Sequence, residues 1–479
     1  MNQGKKTHIE NDLIGDMEVP DDVLYGVQTL RALENFDISP VKLNHYPRYV
    51  EAMAITKEAA AIANHREGLL PDDIFKAIVE ACEEIRRGKH HEFFIVDMVQ
   101  GGAGTSTNMN ANEVITNRAL EILGKPHGSY KVISPNDHTN LSQSTNDAYP
   151  TFIHLGLYQT YLDLLPGLNK LIDAFKGKAV EFKDILKTGR TQMQDAVPMT
   201  MGQTFNGFAT ILEEELPNLK HASEQLLTVN MGATAIGTGI CSEPSYRAFV
   251  LEALRDLTGW NIELARDMVG ATSDTSHMIG FSQAMKRLAV KLSKISNDLR
   301  LLSSGPRAGI GEINLPARQP GSSIMPGKVN PVIPEVVTQV AMKIIGNDVC
   351  VTMAGEAAQL ELNAMEPIMA QCCFESADFL ISVMDIFRKY CIEGITANAE
   401  HATELAYKSM SIVTALNPYI GYKNSTKIAK EAMETGESIP EIVLKHGILS
   451  QEQLDTILAP ENLLVPVHLD IKPLKNMDE

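Results

Sequence analysis

The sequence predicts a mainly α fold of three domains, dominated by a central bundle of long helices. Three observations carry that prediction. Apolar residues recur at helical spacing over stretches of about 20–30 residues, two to three times the mean helix length. Those stretches carry no strand signals. At 479 residues the chain also exceeds what one hydrophobic core usually serves.

The elements follow in order. Residues 1–144 are expected to form a first domain, in which helical patterns at 48–64 and 72–87 alternate with loops. Residues 145–397 are expected to hold the long helices. One stripe runs Leu157, Tyr161, Leu164, Leu168, Leu171, Phe175 and contains Pro166, which lacks a backbone donor and predicts a kink. A second covers roughly residues 202–231. A third, Phe281, Met285, Leu288, Leu292, Ile295, Leu299, Leu302, steps mostly by four and three, and Gly305-Pro306 stops it. Further helical patterns follow Asn330 and Gln371. Residues 398–479 are expected to form a small third domain, with short patterns at 399–410, 424–434 and 439–446. Each stripe reads as core packing. Their apolar faces are wider than one chain's bundle needs, so association into a larger helical bundle is expected.

A net charge of −18 argues against nucleic acid or an anionic membrane as partner, since both select basic surfaces. Six cysteines (Cys82, Cys241, Cys350, Cys372, Cys373, Cys391) show neither a metal spacing nor a disulfide framework. Polar residues follow Met1-Asn2-Gln3-Gly4-Lys5-Lys6 where a signal peptide would have its apolar core. No window approaches 18 uncharged apolar residues. The expected location is the cytoplasm.

The most informative segment is Gly321-Ser322-Ser323-Ile324-Met325-Pro326-Gly327-Lys328-Val329-Asn330. Two hydroxyls, a cation, an amide and loop backbone N–H groups within ten residues suit a small anion. Pro331 and the apolar pattern after it make Asn330 the expected helix N-cap, which places the end of the loop at a positive helix terminus. A nucleotide is excluded: the phosphate-loop spacing G-x-x-x-x-G-K-[ST] is not met, and Val329 stands where its metal-binding hydroxyl would be.

This segment resembles the signature G-S-x-x-M-P-x-K-x-N of the aspartase/fumarase superfamily and matches every fixed position. Three further segments resemble that family's other site segments, in its order. They are residues 101–110 (GGAGTSTNMN), Ser144-Thr145-Asn146-Asp147, and residues 189–196 (GRTQMQDA). The resemblance runs from about Asp12 to about Pro466. It implies a homotetramer with a shared helical core, whose sites combine segments from three chains. It implies a small dicarboxylate substrate and neither a cofactor nor a catalytic metal. Divalent-ion activation is not legible in the sequence.

The chemistry follows from the substrate. Taking a proton from the carbon beside one carboxylate leaves a dianionic enediolate, so catalysis must be mainly electrostatic stabilisation of its oxygens. Thr105, Ser144, Thr145 and Ser323 offer uncharged hydroxyl donors, and glycine-rich loops add backbone N–H groups. Lys328, Asn330 and Thr191 suit the second carboxylate. The resemblance implies Ser322 as the base; the residues alone do not choose between Ser322 and Ser323. A serine base requires loop N–H groups that stabilise its alkoxide. His90 and His91 fall in a charged, exposed-looking stretch, His277 near a helix start, and His138 six residues before Ser144, so none is preferred as base.

At the position after Thr191, class II fumarases carry histidine, whereas this chain has Gln192. Thr145, His138 and the opening residues 12–15 and 18–36 also resemble the aspartase branch. The amide oxygens of Asn146 and Gln192 can accept from an ammonium group. The resemblance therefore implies reversible elimination of ammonia from L-aspartate to fumarate, with fumarate hydration or an inactive scaffold as alternatives.

Overall fold

In the computed structural model, which describes residues 6–464 and 467–475, helices form where the apolar spacing predicts them. Met1 to Lys5 and Pro466, which enter the sequence reading, lie outside the described residues. The stripe from Phe281 becomes the helix Ser276–Leu302. The stripe with Pro166 becomes Thr145–Glu181, a helix that continues through both Pro150 and Pro166. The patterns after Asn330 and Gln371 become Val332–Glu356 and Glu366–Tyr390. The fold is mainly α, built as a helical bundle.

The chain forms two compact units. The first comprises Met1–Pro166, Glu215–Val290 and Val340–Ser382. Its helix Pro47–Arg66 is rich in alanine, which lets neighbouring backbones approach closely. Ala52, Ala59, Ala60 and Ala63 share a core with Tyr246, Val250 and Leu254 of the helix Tyr246–Thr258. Buried polar groups fix the register of the long helices. Asp348 accepts from Ser282 Oγ at 2.9 Å and pairs with Lys286, while Asn347 Nδ2 donates to the Cys372 carbonyl and Ser376 Oγ. Such ties reward one alignment, because a slipped helix leaves the groups buried and unpaired.

The second unit comprises Gly167–Glu214, Lys291–Gln339 and Val383–Glu479. Phe175 is the hub of an aromatic cluster, with Phe205, Phe208 and Phe387 at ring centroid distances of 6.3, 5.9 and 6.0 Å. The edge-on pairs with Phe208 and Phe387 add to the area the rings bury. Short helices pack Ile412, Leu416, Ile428, Ile442 and Leu454 into a separate apolar cluster. Capping boxes at Ser438/Glu441 and Ser450/Gln453 start two of them.

The order of helices and strands differs from the expectations in two places. The stripe at 202–231 is two helices, Met201–Glu213 and Glu215–Gln225, followed by the strand Thr228–Val229. Strands are present, in four two-stranded sheets among the described residues. The larger hairpins pair Thr7–Asp12 with Gly15–Pro20 and Leu186–Thr191 with Gln194–Thr200. Six or seven polar-rich residues per strand give no apolar alternation to read. The helix Val332–Glu356 is long and apolar enough to cross a membrane by length and composition, with a mean hydropathy of 1.2 over its best window, yet Glu335, Lys343 and Asp348 leave it no run of 18 uncharged apolar residues. Only 39% of that window is buried, and Met342 and Met353 are 65% and 67% exposed.

Candidate active site

The decapeptide 321–330 belongs to the second unit and closes on itself. Gly321 N–H donates to the Lys328 carbonyl at 2.8 Å, and Asn330 Nδ2 donates to the Gly321 carbonyl at 2.8 Å. A Cβ on Gly321 would stand 2.7 Å from the Lys328 oxygen, so only glycine fits this neck. The helix begins at Val332, and the side chain expected to cap it ties the loop instead.

Inside the loop, Ser322 Oγ accepts backbone N–H groups from Ile324 at 3.2 Å and Met325 at 3.0 Å. Two donors aimed at one hydroxyl oxygen favour its deprotonated form. Ser323 is exposed, and among the described residues its hydroxyl receives no such donors. Lys328 is also exposed, and no carboxylate of the described residues pairs with it. The cation is available to a ligand.

Thr191 and Gln192 occupy the tip of the hairpin in the same unit. Gln192 and Met193 have φ of 52° and 65°, the left-handed pair that a two-residue hairpin turn requires. The turn presents Thr191, Gln192 and Met193 to solvent. Its base is anchored by the buried Glu312, which ion-pairs with Arg190 at 2.8 Å and Lys187 at 3.4 Å. Burial lowers the Lys187 ammonium even with that carboxylate beside it. No hydrogen bond among the described residues links this tip to the 321–330 loop.

Thr105, Ser144, Thr145 and Asn146 belong to the first unit, at the starts of two helices. Gly102, Ala103 and Gly104 all have positive φ and lead into the helix Thr105–Ile122. A Cβ at Gly104 would lie 2.4 Å from the Tyr149 ring. Thr105 Oγ1 donates to the Gly102 carbonyl at 2.8 Å. Ser144 precedes Thr145–Glu181, and its Oγ accepts from Asn146 N–H at 3.2 Å. Both helix termini carry partial positive charge, which suits an anion in a protein of this acidity.

Beneath these residues lies a polar network that the sequence reading missed. Lys57, wholly buried, donates to Asn140 Oδ1 and Gln143 Oε1 at 3.0 and 2.9 Å. Asn140 Oδ1 also accepts from Asn108 Nδ2, which donates in turn to Thr145 Oγ1 at 3.2 Å. Desolvation brings the Lys57 ammonium down to about 7, opposed by the Asp147 carboxylate. Asp147, itself buried and raised by desolvation, accepts from Ser144, Gly232 and Thr234 N–H groups. The available signal was a lysine inside the apolar run Ala52-Met53-Ala54-Ile55-Thr56-Lys57.

Three histidines weighed in the sequence are held by hydrogen bonds within the fold. His138 Nδ1 accepts from Ser134 N–H at 2.9 Å. His90 and His91, expected to be exposed, are partly buried and hydrogen-bonded to Glu84 and the Ile85 carbonyl.

A family model described as lyase matches residues 15–346, and one described as the fumarase C C-terminus matches residues 412–465. Aspartate ammonia-lyase of Pseudomonas aeruginosa (strain PAO1) is 56% identical over 461 residues, covering 96% of this chain and 97% of that protein. The Escherichia coli K12 enzyme of the same name is 51% identical, with 96% of each chain covered. Among solved structures, a fumarate lyase:delta crystallin from Brucella melitensis is similar at a TM-score of 0.94 and 48% identity, covering 96% of this chain and 100% of that one. A class II fumarase from Schistosoma mansoni is similar at 0.89 and 34%, covering 95% and 98%.

Proposed function

This chain belongs to the lyase family, and we propose that it catalyses the reversible elimination of ammonia from L-aspartate to fumarate. The observation that carries the mechanism is the pair of N–H groups on Ser322 Oγ. Ser322 acts as an alkoxide and takes a proton from the β-carbon of aspartate. The electron pair passes into the neighbouring carboxylate and forms the enediolate. That intermediate collapses to the carbon–carbon double bond as the amino group leaves the α-carbon.

Thr105, Ser144, Thr145 and Ser323 stabilise the enediolate oxygens, each donor contributing on the order of 3 kcal/mol and jointly less than the sum. Lys328, Asn330 and Thr191 hold the other carboxylate. Asn146 and Gln192 accept from the leaving ammonium. The proposed steps use groups of the protein alone, and turnover measured with and without a chelator tests for activation by a divalent ion.

The proposal includes a homotetramer with sites shared between chains. Its supports are the exposed apolar residues of the helix Val332–Glu356 and the exposed tip Thr191-Gln192-Met193. Sedimentation should give four times the 52.5 kDa chain mass. It also includes a cytoplasmic location, supported by six free cysteines.

Absorbance tests the activity directly, since fumarate's conjugated double bond absorbs where aspartate and malate do not. Absorbance should rise with aspartate and barely with malate. Rapid turnover of malate alone would select hydration, the runner-up favoured by the similarity to the Schistosoma fumarase. No turnover of either would leave an inactive scaffold.

A further inference from the structure

A small pocket of about 40 Å³ lies in the first unit, and none of the residues assigned to catalysis is among its lining. That volume holds one or two water-sized species. Among its walls are Glu366, Asp274, His154, His277, Asn230 and Thr228, and none of its lining residues is a lysine or arginine. Asp274 is exposed, and Glu366 is 4% exposed, so the carboxylates mark the outer and inner reaches.

Glu366 is the group that demands an explanation. No donor among the described residues hydrogen-bonds its carboxylate, and burial pushes its pKa up to about 8. An isolated buried carboxylate is expensive unless it is protonated or meets a cation. Among the described residues, no lysine or arginine lines this pocket to supply a cation. His154 donates from Nδ1 to the Thr228 carbonyl at 3.0 Å, and burial holds its ring neutral, down at about 3. His277 is lowered by desolvation as well. Asn230 spends its Nδ2 on the Asn146 carbonyl and Thr272 Oγ1. The pocket has acceptors to spare and no charged donor.

We propose that this pocket, with Glu366 at its inner end and Asp274 at its outer end, binds a small monovalent cation of the size of ammonium or potassium. Glu366 opens the helix Glu366–Tyr390, whose positive terminus helps keep the carboxylate ionised when a cation is present. Ammonium is a product under the reading above, and Asn230 joins the pocket to the backbone of Asn146. The site itself does not depend on that reading.

The test reads binding rather than turnover. Crystals of the full-length protein soaked in thallium(I), which matches both ions in size, should show an anomalous peak beside Glu366. Glu366→Gln crystals should lack it. In solution, the wild-type unfolding midpoint should be about 1–3 °C higher in ammonium or potassium chloride than in lithium chloride at equal ionic strength. The variant should show no such difference. An empty pocket in wild-type crystals with Glu366 ordered, or equal midpoints in all three salts, would overturn the proposal and leave the assigned activity untouched.

Discussion

The Lys57 ammonium and the Asn140 side-chain oxygen meet at 3.0 Å inside the first unit, and that contact ties a buried charge to the hydroxyl of Thr145. Lys57→Met keeps most of the length of the side chain and removes both hydrogen bonds. It leaves Gln143 Oε1 without its donor and Asn140 with one fewer. Stability should fall by about 1–3 kcal/mol, read as a lower denaturant midpoint at unchanged slope. An unchanged midpoint would mean the network carries no net energy.

Ser322→Ala and Lys328→Ala should separate kinetically. The first removes a group that acts in the transition state, so kcat should drop by about 10²–10⁴ while dicarboxylate affinity, measured by calorimetry, stays close to wild type. The second removes a carboxylate partner present throughout the cycle, so KM should rise as well. Near-normal turnover by Ser322→Ala would refute its role as base.

Shared sites make a sharper demand. Ser322→Ala and Thr191→Ala subunits, each inactive alone, should recover activity when mixed and allowed to exchange. In a mixed tetramer some sites receive both damaged segments, which leaves others intact. No recovery, with exchange shown by mass labelling, would place both segments of each site on one chain.

Gln192 governs the amino end of the substrate in this mechanism. Gln192→His keeps a polar hydrogen-bonding group at the tip and should be tolerated. Gln192→Leu leaves a substrate group unpaired and should cost about 1–3 kcal/mol in kcat/KM. Equal rates for Gln192→Leu and wild type would detach this residue from the substrate.

Glu113 gives stability a pH slope. Burial pushes this carboxyl from its ordinary 4.5 up to about 7, despite N–H donors from Gly26, Gln28 and Thr29. Between those values the folded protein keeps a proton that the unfolded chain has lost. The contribution is therefore full below pH 4.5 and is lost as pH rises through 7, on the order of 3 kcal/mol in all. Glu113→Gln should flatten that part of the curve relative to wild type in denaturant titrations. Parallel curves would show that Glu113 ionises normally.

The long helices were legible because each repeats its apolar spacing over five or more turns, so one misplaced residue changes little. The hairpin that carries Thr191 and Gln192 was not: its strand Leu186–Thr191 reads LKTGRT, and Arg190 and Lys187 are held by the distant Glu312. Motif spacing brought out every candidate residue of the 321–330 loop. It could not distinguish Ser322 from Ser323, since only the fold determines which hydroxyl lies under the Ile324 and Met325 amides. Lys57 escaped notice for a related reason. Its partners Asn140 and Gln143 lie more than eighty positions away, and a lone lysine in a helix ordinarily reaches water.

The neck formed by Gly321, Lys328 and Asn330 closes without help from the hairpin tip. Ser322 and Lys328 therefore sit on a self-contained module whose internal spacing survives changes elsewhere, while Gln192 sits on another. Under the proposed roles, reaction chemistry and choice of leaving group lie on separate pieces of chain. In that mechanism, exchanging exposed residues of the turn could change the substrate without rebuilding the loop that holds the proposed base.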